Sequence, residues 1–287
     1  MNKITDYFKA LPQYLLPHHL LSRMVGRLAR CRIPWIKNLL IDGFRRLYRV
    51  DLSLAVESDP HAYPDFNAFF TRALRPDARP LPSAETAVVS PVDGRISQAG
   101  VMTDGCLLQA KGKVYSLTQL LGSTELADRF QGGHYATIYL SPRDYHRIHM
   151  PLSGRLREMV HIPGRLFSVS PATARVIPDL FARNERVVCL FETDAGPMAM
   201  VLVGAIFVAS IETVWAGVIT PPRGRAVTRR EYREDAPELE RGAEMGRFNM
   251  GSTVILLFGR DQVEWSPACQ PDAVVRMGQQ IGVCREK

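Results

Sequence analysis

Ser252 stands in the run Met-Gly-Ser-Thr, residues 250 to 253, directly before the apolar stretch Val254 to Phe258. A short aliphatic run of that kind reads as a buried strand, so a rigid element holds the serine hydroxyl. Gly251 has no Cβ, which leaves its carbonyl unshielded against attack by the hydroxyl that follows it. A serine hydroxyl is a weak nucleophile until a base takes its proton, and the usual base is a histidine oriented by a carboxylate. Of the seven histidines, His18, His19 and His61 lie in the N-terminal third. His146 and His149, in YLSPRDYHRIHMP, directly follow an apparent strand. On a strand their odd spacing sets them on opposite faces, whereas on a helical turn they share one. Asp93, in SPVDGRI, is a carboxylate in a tight-turn context between two strands. Each residue also has a structural reading. Asp-Gly is a common turn, and His-x-x-His is at most half a metal site, with no convincing third ligand and no Cys cluster nearby.

Gly-Ser-Thr occurs twice, at 122 to 124 and at 251 to 253. The first copy follows YSLTQLL and precedes ELADRF, whose leucines suit two short helices. Gly122 is there a natural helix terminator and Ser123 a natural N-cap. That reading accounts for every residue of the first copy and leaves the second as the chemical candidate.

The elements that must position these residues change character along the chain. HHLLSRMVGRLARC places Leu20, Leu21, Met24, Val25 and Leu28 on one helical face and Arg23, Arg27 and Arg30 on another. PWIKNLLIDGFRRLYR opens with Pro34 at a helix start and repeats the pattern, setting Trp35, Leu39, Leu40, Phe44 and Leu47 against Lys37, Arg45, Arg46 and Arg49. A third helical pattern in YPDFNAFFTRALRP gathers Phe66, Phe69, Phe70 and Leu74, and prolines 76, 80 and 82 then mark a linker. From about residue 86 the chain becomes short Val- and Ile-rich runs bounded by Gly and Pro. The charged, aliphatic-poor segment 229 to 247 reads as an exposed loop. The expected class is α+β, with amphipathic N-terminal helices in a region 1–82 and a β-rich catalytic domain 83–287 of mostly antiparallel strands.

Charge follows the same division. Residues 1 to 50 hold 10 basic and 2 acidic groups, and the remaining 237 are balanced at 26 to 27. An apolar face with Trp and Leu beside an arginine-rich face fits a helix lying in the headgroup region of an anionic membrane. An ordinary surface helix pair is the competing reading. Nucleic acid ranks well below both, since the segment interleaves aliphatics rather than stacking aromatics. No run of apolar residues is long enough for a spanning helix. Five dispersed cysteines without a CxxC predict reduced thiols.

SPVDGRI, YLSPRDYHRIHMP, LFARNERV, SIETVWAGVITPP and EMGRFNMGSTVILLF together resemble bacterial phosphatidylserine decarboxylase proenzymes, in order and over essentially the whole chain. The resemblance implies self-cleavage between Gly251 and Ser252 by a triad that maps onto Asp93, His149 and Ser252. It further implies conversion of Ser252 into a covalent pyruvoyl group, to which the substrate amine binds as a Schiff base. His146 maps onto a proton donor for decarboxylation. The implied product is a heterodimer of a β chain, 1–251, and an α chain, 252–287, with any higher oligomer left open. The implied partners are phosphatidylserine and an anionic membrane met by residues 1–50, at the cytoplasmic side of the cell membrane. No metal is implied. The family motif has Leu where Met250 stands, a nearly volume-conserving change. Only six lysines exist, with Lys111 and Lys113 inside the β-rich part, which suits a protein-derived carbonyl over pyridoxal phosphate. Two other readings remain open on the residues alone: a membrane-associated Ser-His-Asp hydrolase with Ser252 intact, and a non-catalytic membrane-binding module.

Overall fold

The computed structural model describes residues 3–110, 112–206, 210–220, 226–249 and 252–285. Met250 and Gly251, and with them the upstream half of the expected cleavage site, lie outside the described residues, as does Lys111.

The strand Thr253–Phe258 is buried along its whole length because it is paired on both sides, with Gly196–Val203 on one edge and His134–Tyr139 on the other. Its side chains alternate between two cores, as the period of a strand requires. Val254, Leu256 and Phe258 meet Met198, Met200 and Leu202 on one face. Ile255 and Leu257 meet Ala199 and Val201 on the other. A strand buried on both faces reads as a continuous apolar run, which is why the sequence identified it.

Beyond these three, the sheet extends through Arg186–Thr193, Gly154–Ile162 and Thr228–Glu231 on one side, and Gly94–Val101 and Val274–Val275 on the other. Every pairing in it is antiparallel. Short helices cover one face. The other carries a sheet in the order Gly217–Val218, Ser210–Thr213, Glu244–Asn249 and Arg147–His149. The fold is α+β, with short antiparallel strands behind N-terminal helices.

The segment 229 to 247 is not the loop expected of it. Thr228–Glu231 and Glu238–Leu239 both pair with Gly154–Ile162, and Glu244–Asn249 joins the smaller sheet. Thr228–Glu231 is an exposed edge, where charged side chains discourage further pairing. An edge of that kind lacks the apolar pattern that announces a strand.

The first Gly-Ser-Thr is a helix stop and cap. Gly122 closes the helix Leu117–Leu121 at φ +71°, its N–H donating to the Thr118 carbonyl. Ser123 Oγ accepts from the Leu126 N–H at 3.3 Å and opens the helix Thr124–Asp128.

Four N-terminal helices are α1, Lys3–Ala10; α2, His18–Ala29; α3, Pro34–Tyr48; and α4, Phe66–Phe70. α1 was not legible in the sequence; its Asp6 grips Arg175 through two 2.8 Å bonds. α4 is only five residues long, capped by Asp65, so Leu74 falls outside it and bridges to Ala55. A separate core joins Ile41 of α3, Tyr63 and Phe66, Phe69 and Phe70 of α4.

The apolar stripes of α2 and α3 are only partly turned inward. α2 buries His18, Ser22, Gly26 and Ala29 and turns Leu20, Met24 and Leu28 outward. α3 buries Lys37 and Ile41 and leaves Trp35 70%, Leu39 67% and Leu47 72% exposed. Leu40 and Phe44 of the same α3 stripe pack inward on the α4 core. Between the two helices lies an apolar groove of about 340 Å³, floored by Leu40, Phe44 and Phe66. Among the described residues no helix is long and apolar enough to cross a membrane.

Candidate active site

Ser252 sits at the mouth of the central strand. Its carbonyl accepts from the Leu140 N–H at 2.9 Å, so the end of the strand His134–Tyr139 fixes its backbone. Its side chain is 1% exposed, and Oγ has no hydrogen-bond partner among the described residues. A buried hydroxyl without a partner is costly, and Thr253 Oγ1 beside it is in the same position. Asn249, three residues upstream, is held tightly: Nδ2 donates to Ser210 Oγ at 2.5 Å and Oδ1 accepts from Asn67 of α4 at 3.0 Å. The chain around Gly251 is therefore anchored at both described ends.

His149 closes the short strand Arg147–His149, and its backbone N–H bonds to the Pro91 carbonyl. Nδ1 lies 2.7 Å from the Gly242 carbonyl, which can only accept, so Nδ1 carries the proton. Nε2 is then the lone pair, and it accepts from the Tyr145 hydroxyl at 2.9 Å. Burial pushes the imidazole below its ordinary pKa, partly offset by the Gly242 carbonyl, so His149 is neutral at pH 7. It is a base whose working atom is engaged by a tyrosine.

His146, one residue before that strand, faces the other way. Its ring lies 4.1 Å from that of Phe70 in α4, Nδ1 donates to the Asp144 carbonyl at 2.8 Å, and Nε2 has no partner among the described residues. Complete burial lowers its pKa to about 3. It is neutral and stands as an acceptor, so a role as proton donor requires that it first take a proton.

Asp93 is buried within a cage of donors. Met277 N–H reaches Oδ1 at 2.8 Å, Arg79 spans both oxygens at 3.2 and 2.5 Å, and Arg276 reaches Oδ2 at 3.3 Å. The carboxylate acts on His149 through its charge, favouring the protonated ring. No hydrogen bond joins Asp93, His149 and Ser252 among the described residues; Gly242, not Asp93, orients the His149 ring. Asp93 instead ties the linker residue Arg79 to Arg276 and Met277, which lie C-terminal to Ser252. Sequence reasoning missed Tyr145, Gly242 and Arg79. Tyr145 had one available signal, its place within the histidine motif, while the other two come from distant loops.

The five cysteines are free and no three His, Cys, Asp or Glu gather as a metal site among the described residues. The family model described as phosphatidylserine decarboxylase matches residues 66–283, and a second, described as PSD, matches residues 8–49. A phosphatidylserine decarboxylase proenzyme of Azotobacter vinelandii is 59% identical over 281 residues, covering 96% of this chain and 98% of its own. One from Alkalilimnicola ehrlichii is 61% identical over 254 residues, 88% of each chain. One from Bordetella pertussis is 58% identical over 277 residues, covering 94% of this chain and 92% of its own.

Proposed function

The chain belongs to the phosphatidylserine decarboxylase family of carboxy-lyases, and from that premise we propose that it converts phosphatidylserine to phosphatidylethanolamine after cutting itself between Gly251 and Ser252. The observation that carries the reading is the family match over most of the chain, together with the place of the buried Ser252 directly after a glycine. His149 Nε2 exchanges Tyr145 for Ser252 and takes the hydroxyl proton; the Asp93 charge favours the imidazolium that results. Oγ attacks the Gly251 carbonyl and the peptide C–N bond gives way to an ester. Elimination across Cα–Cβ of residue 252 releases the Gly251 carboxylate, and hydrolysis of the dehydroalanine left behind expels ammonia. Asp93 keeps its grip on Arg276 and Met277 throughout, so the two chains stay joined as a heterodimer across the new ends.

The residues fit a covalent pyruvoyl group at position 252, since the side chain is enclosed and makes no competing hydrogen bond. Once formed, that group would supply an electrophilic carbonyl for the substrate amine and an electron sink for the loss of CO2. The serine ammonium must shed a proton before its amine can react. His146 Nε2 is a free acceptor that can take that proton and return it to the carbon from which CO2 leaves.

The outward apolar stripes of α2 and α3, beside Arg23, Arg27, Arg45, Arg46 and Arg49, support docking on the anionic cytoplasmic face of a bilayer. Intact mass of the purified protein tests the reading. Two chains are expected, the smaller lighter by one ammonia than a peptide beginning at Ser252. A single full-length chain whose Ser252 reacts with a fluorophosphonate would instead establish a hydrolase.

A further inference from the structure

Arg72 follows α4 by two residues and is a buried cation with no ion-pair partner among the described residues. Its side chain is nearly enclosed, with the residue 5% exposed. Nη2 donates to the Arg143 carbonyl at 3.2 Å, and Nε has no partner among the described residues. No carboxylate of the described residues forms an ion pair with it; Asp93, Asp144 and Asp51 act only at longer range. Buried guanidinium groups are ordinarily paired, because taking the charge out of water is costly. Hydrophobic packing does not explain this position, where a leucine or methionine would serve better.

Its neighbours connect it to the reacting residues. Arg143 belongs to the loop that starts at Leu140, bonded to Ser252, and ends at His146. His146 packs on Phe70, two residues before Arg72. At the other end of α4, Phe66 floors the apolar groove between α2 and α3. That short segment thus brings together an apolar groove at Phe66, the contact with His146 at Phe70 and a buried cation at Arg72. A glycerophospholipid carries three groups suited to them: acyl chains, a reacting headgroup and a phosphodiester.

We propose that Arg72 binds the phosphodiester of the phospholipid substrate and so holds the headgroup beside His146 and Ser252. The assignment rests on the reading of the chain as a phospholipid decarboxylase. The phosphodiester is chosen over the serine carboxylate on chemical grounds. A cation on the carboxylate would stabilise the charge that must disappear as CO2 leaves, favouring the ground state over the transition state. The phosphate keeps its charge from substrate to product, so binding it is uniform along the reaction. A guanidinium also matches two phosphate oxygens at once, whereas a lysine offers a point charge.

The test is steady-state kinetics of CO2 release from water-soluble dihexanoyl phosphatidylserine, with wild type, Arg72→Gln and Arg72→Lys, each checked for chain cleavage and thermal melting. Loss of uniform binding raises KM with little change in kcat. Arg72→Gln is expected to raise KM by about tenfold or more, with kcat within about threefold, and Arg72→Lys to recover part of the loss. A fall in kcat at unchanged KM, or failure of Arg72→Lys to mature, overturns the assignment. Wild type alone gives an independent arm. Glycerophosphoethanolamine should compete with substrate, while ethanolamine and inorganic phosphate at equal concentration should not. Competition by inorganic phosphate alone would show a general anion site and overturn the proposal. If wild type releases no CO2 from phosphatidylserine, it is the functional reading that falls, a result distinct from a normal wild type with unaltered variants.

Discussion

The two Gly-Ser-Thr tripeptides have identical residues and opposite surroundings. In the first, Ser123 Oγ accepts a backbone N–H and Gly122 uses its freedom at positive φ to end a helix. In the second, Ser252 Oγ is buried without a partner at the end of a strand paired on both sides. A hydroxyl that accepts from the backbone has one lone pair engaged and its position fixed for stability. A hydroxyl that is enclosed and unsatisfied costs stability and retains its reactivity. The difference lies in what lies next to the tripeptide, not in the tripeptide.

The widest separation of the two should come from matched alanine substitutions. Ser252→Ala is expected to abolish both chain cleavage and CO2 release, leaving one full-length band on a denaturing gel. Ser123→Ala should leave both intact and lower stability by about 1 kcal/mol, the usual cost of a lost N-cap, read as a lower Tm. Cleavage that survives in Ser252→Ala, or disappears in Ser123→Ala, would reverse the assignment of roles.

Acid should strike the second region, as it should His18 and His134, whose pKa values burial also lowers. His146 is buried, with its pKa lowered to about 3 by desolvation, and burial also lowers that of His149. Below the ordinary histidine pKa of about 6.5 the unfolded chain takes up protons that the folded site refuses, so stability falls as pH drops. One such group contributes a slope of about 1.4 kcal/mol per pH unit from about pH 6.5 down to its folded pKa. Chemical denaturation of uncut Ser252→Ala protein from pH 8 to 5 should be flat above pH 6.5 and fall below it. Adding His146→Gln should remove part of that slope, and an unchanged slope would show that His146 is not held neutral.

A smaller effect belongs to the first region. A Cβ at Gly122 would lie 2.7 Å from Ile162 Cδ1, in a backbone conformation that already costs an L-residue about 1–2 kcal/mol. Gly122→Ala is expected to lower stability by about that amount, with cleavage unaffected. An unchanged Tm would mean that the helix stop is adaptable and the first copy has no fixed role.

Legibility in the sequence followed the range of the interactions. The cap at Ser123, the helix start at Pro34 and the central strand were readable because capping, proline geometry and alternation are local. The strand Thr228–Glu231 was not, since an exposed charged edge takes its pairing from Gly154–Ile162 and not from its own pattern. α1 was hidden for a similar reason: the Asp6–Arg175 pair that docks it spans more than half of the chain. At the site, the types of residue were visible and their bonds were not. Nothing local places Gly242 against His149, or Arg79 and Met277 around Asp93. The partial exposure of the α2 and α3 stripes was equally invisible, because a helical stripe states which residues share a face but not how much of that face is covered.

The finest contrast between the copies concerns what restrains the chemical one. Ser252 Oγ has no partner among the described residues, but the base proposed for it does: Tyr145 donates to His149 Nε2 at 2.9 Å. While that bond stands, the lone pair that would take the Ser252 proton is occupied, and cleavage must await its exchange. Tyr145→Phe keeps the ring and deletes only the hydroxyl, and Nδ1 remains held by Gly242. A net hydrogen bond is worth about 1 kcal/mol, which corresponds to a rate change of about fivefold. Cleavage followed from freshly synthesised chain on a time-resolved gel is therefore expected to run about fivefold faster in Tyr145→Phe. Slower cleavage would assign the hydroxyl the opposite role, holding the ring in its working orientation. That would place Tyr145 with Gly242 among the groups that build the base.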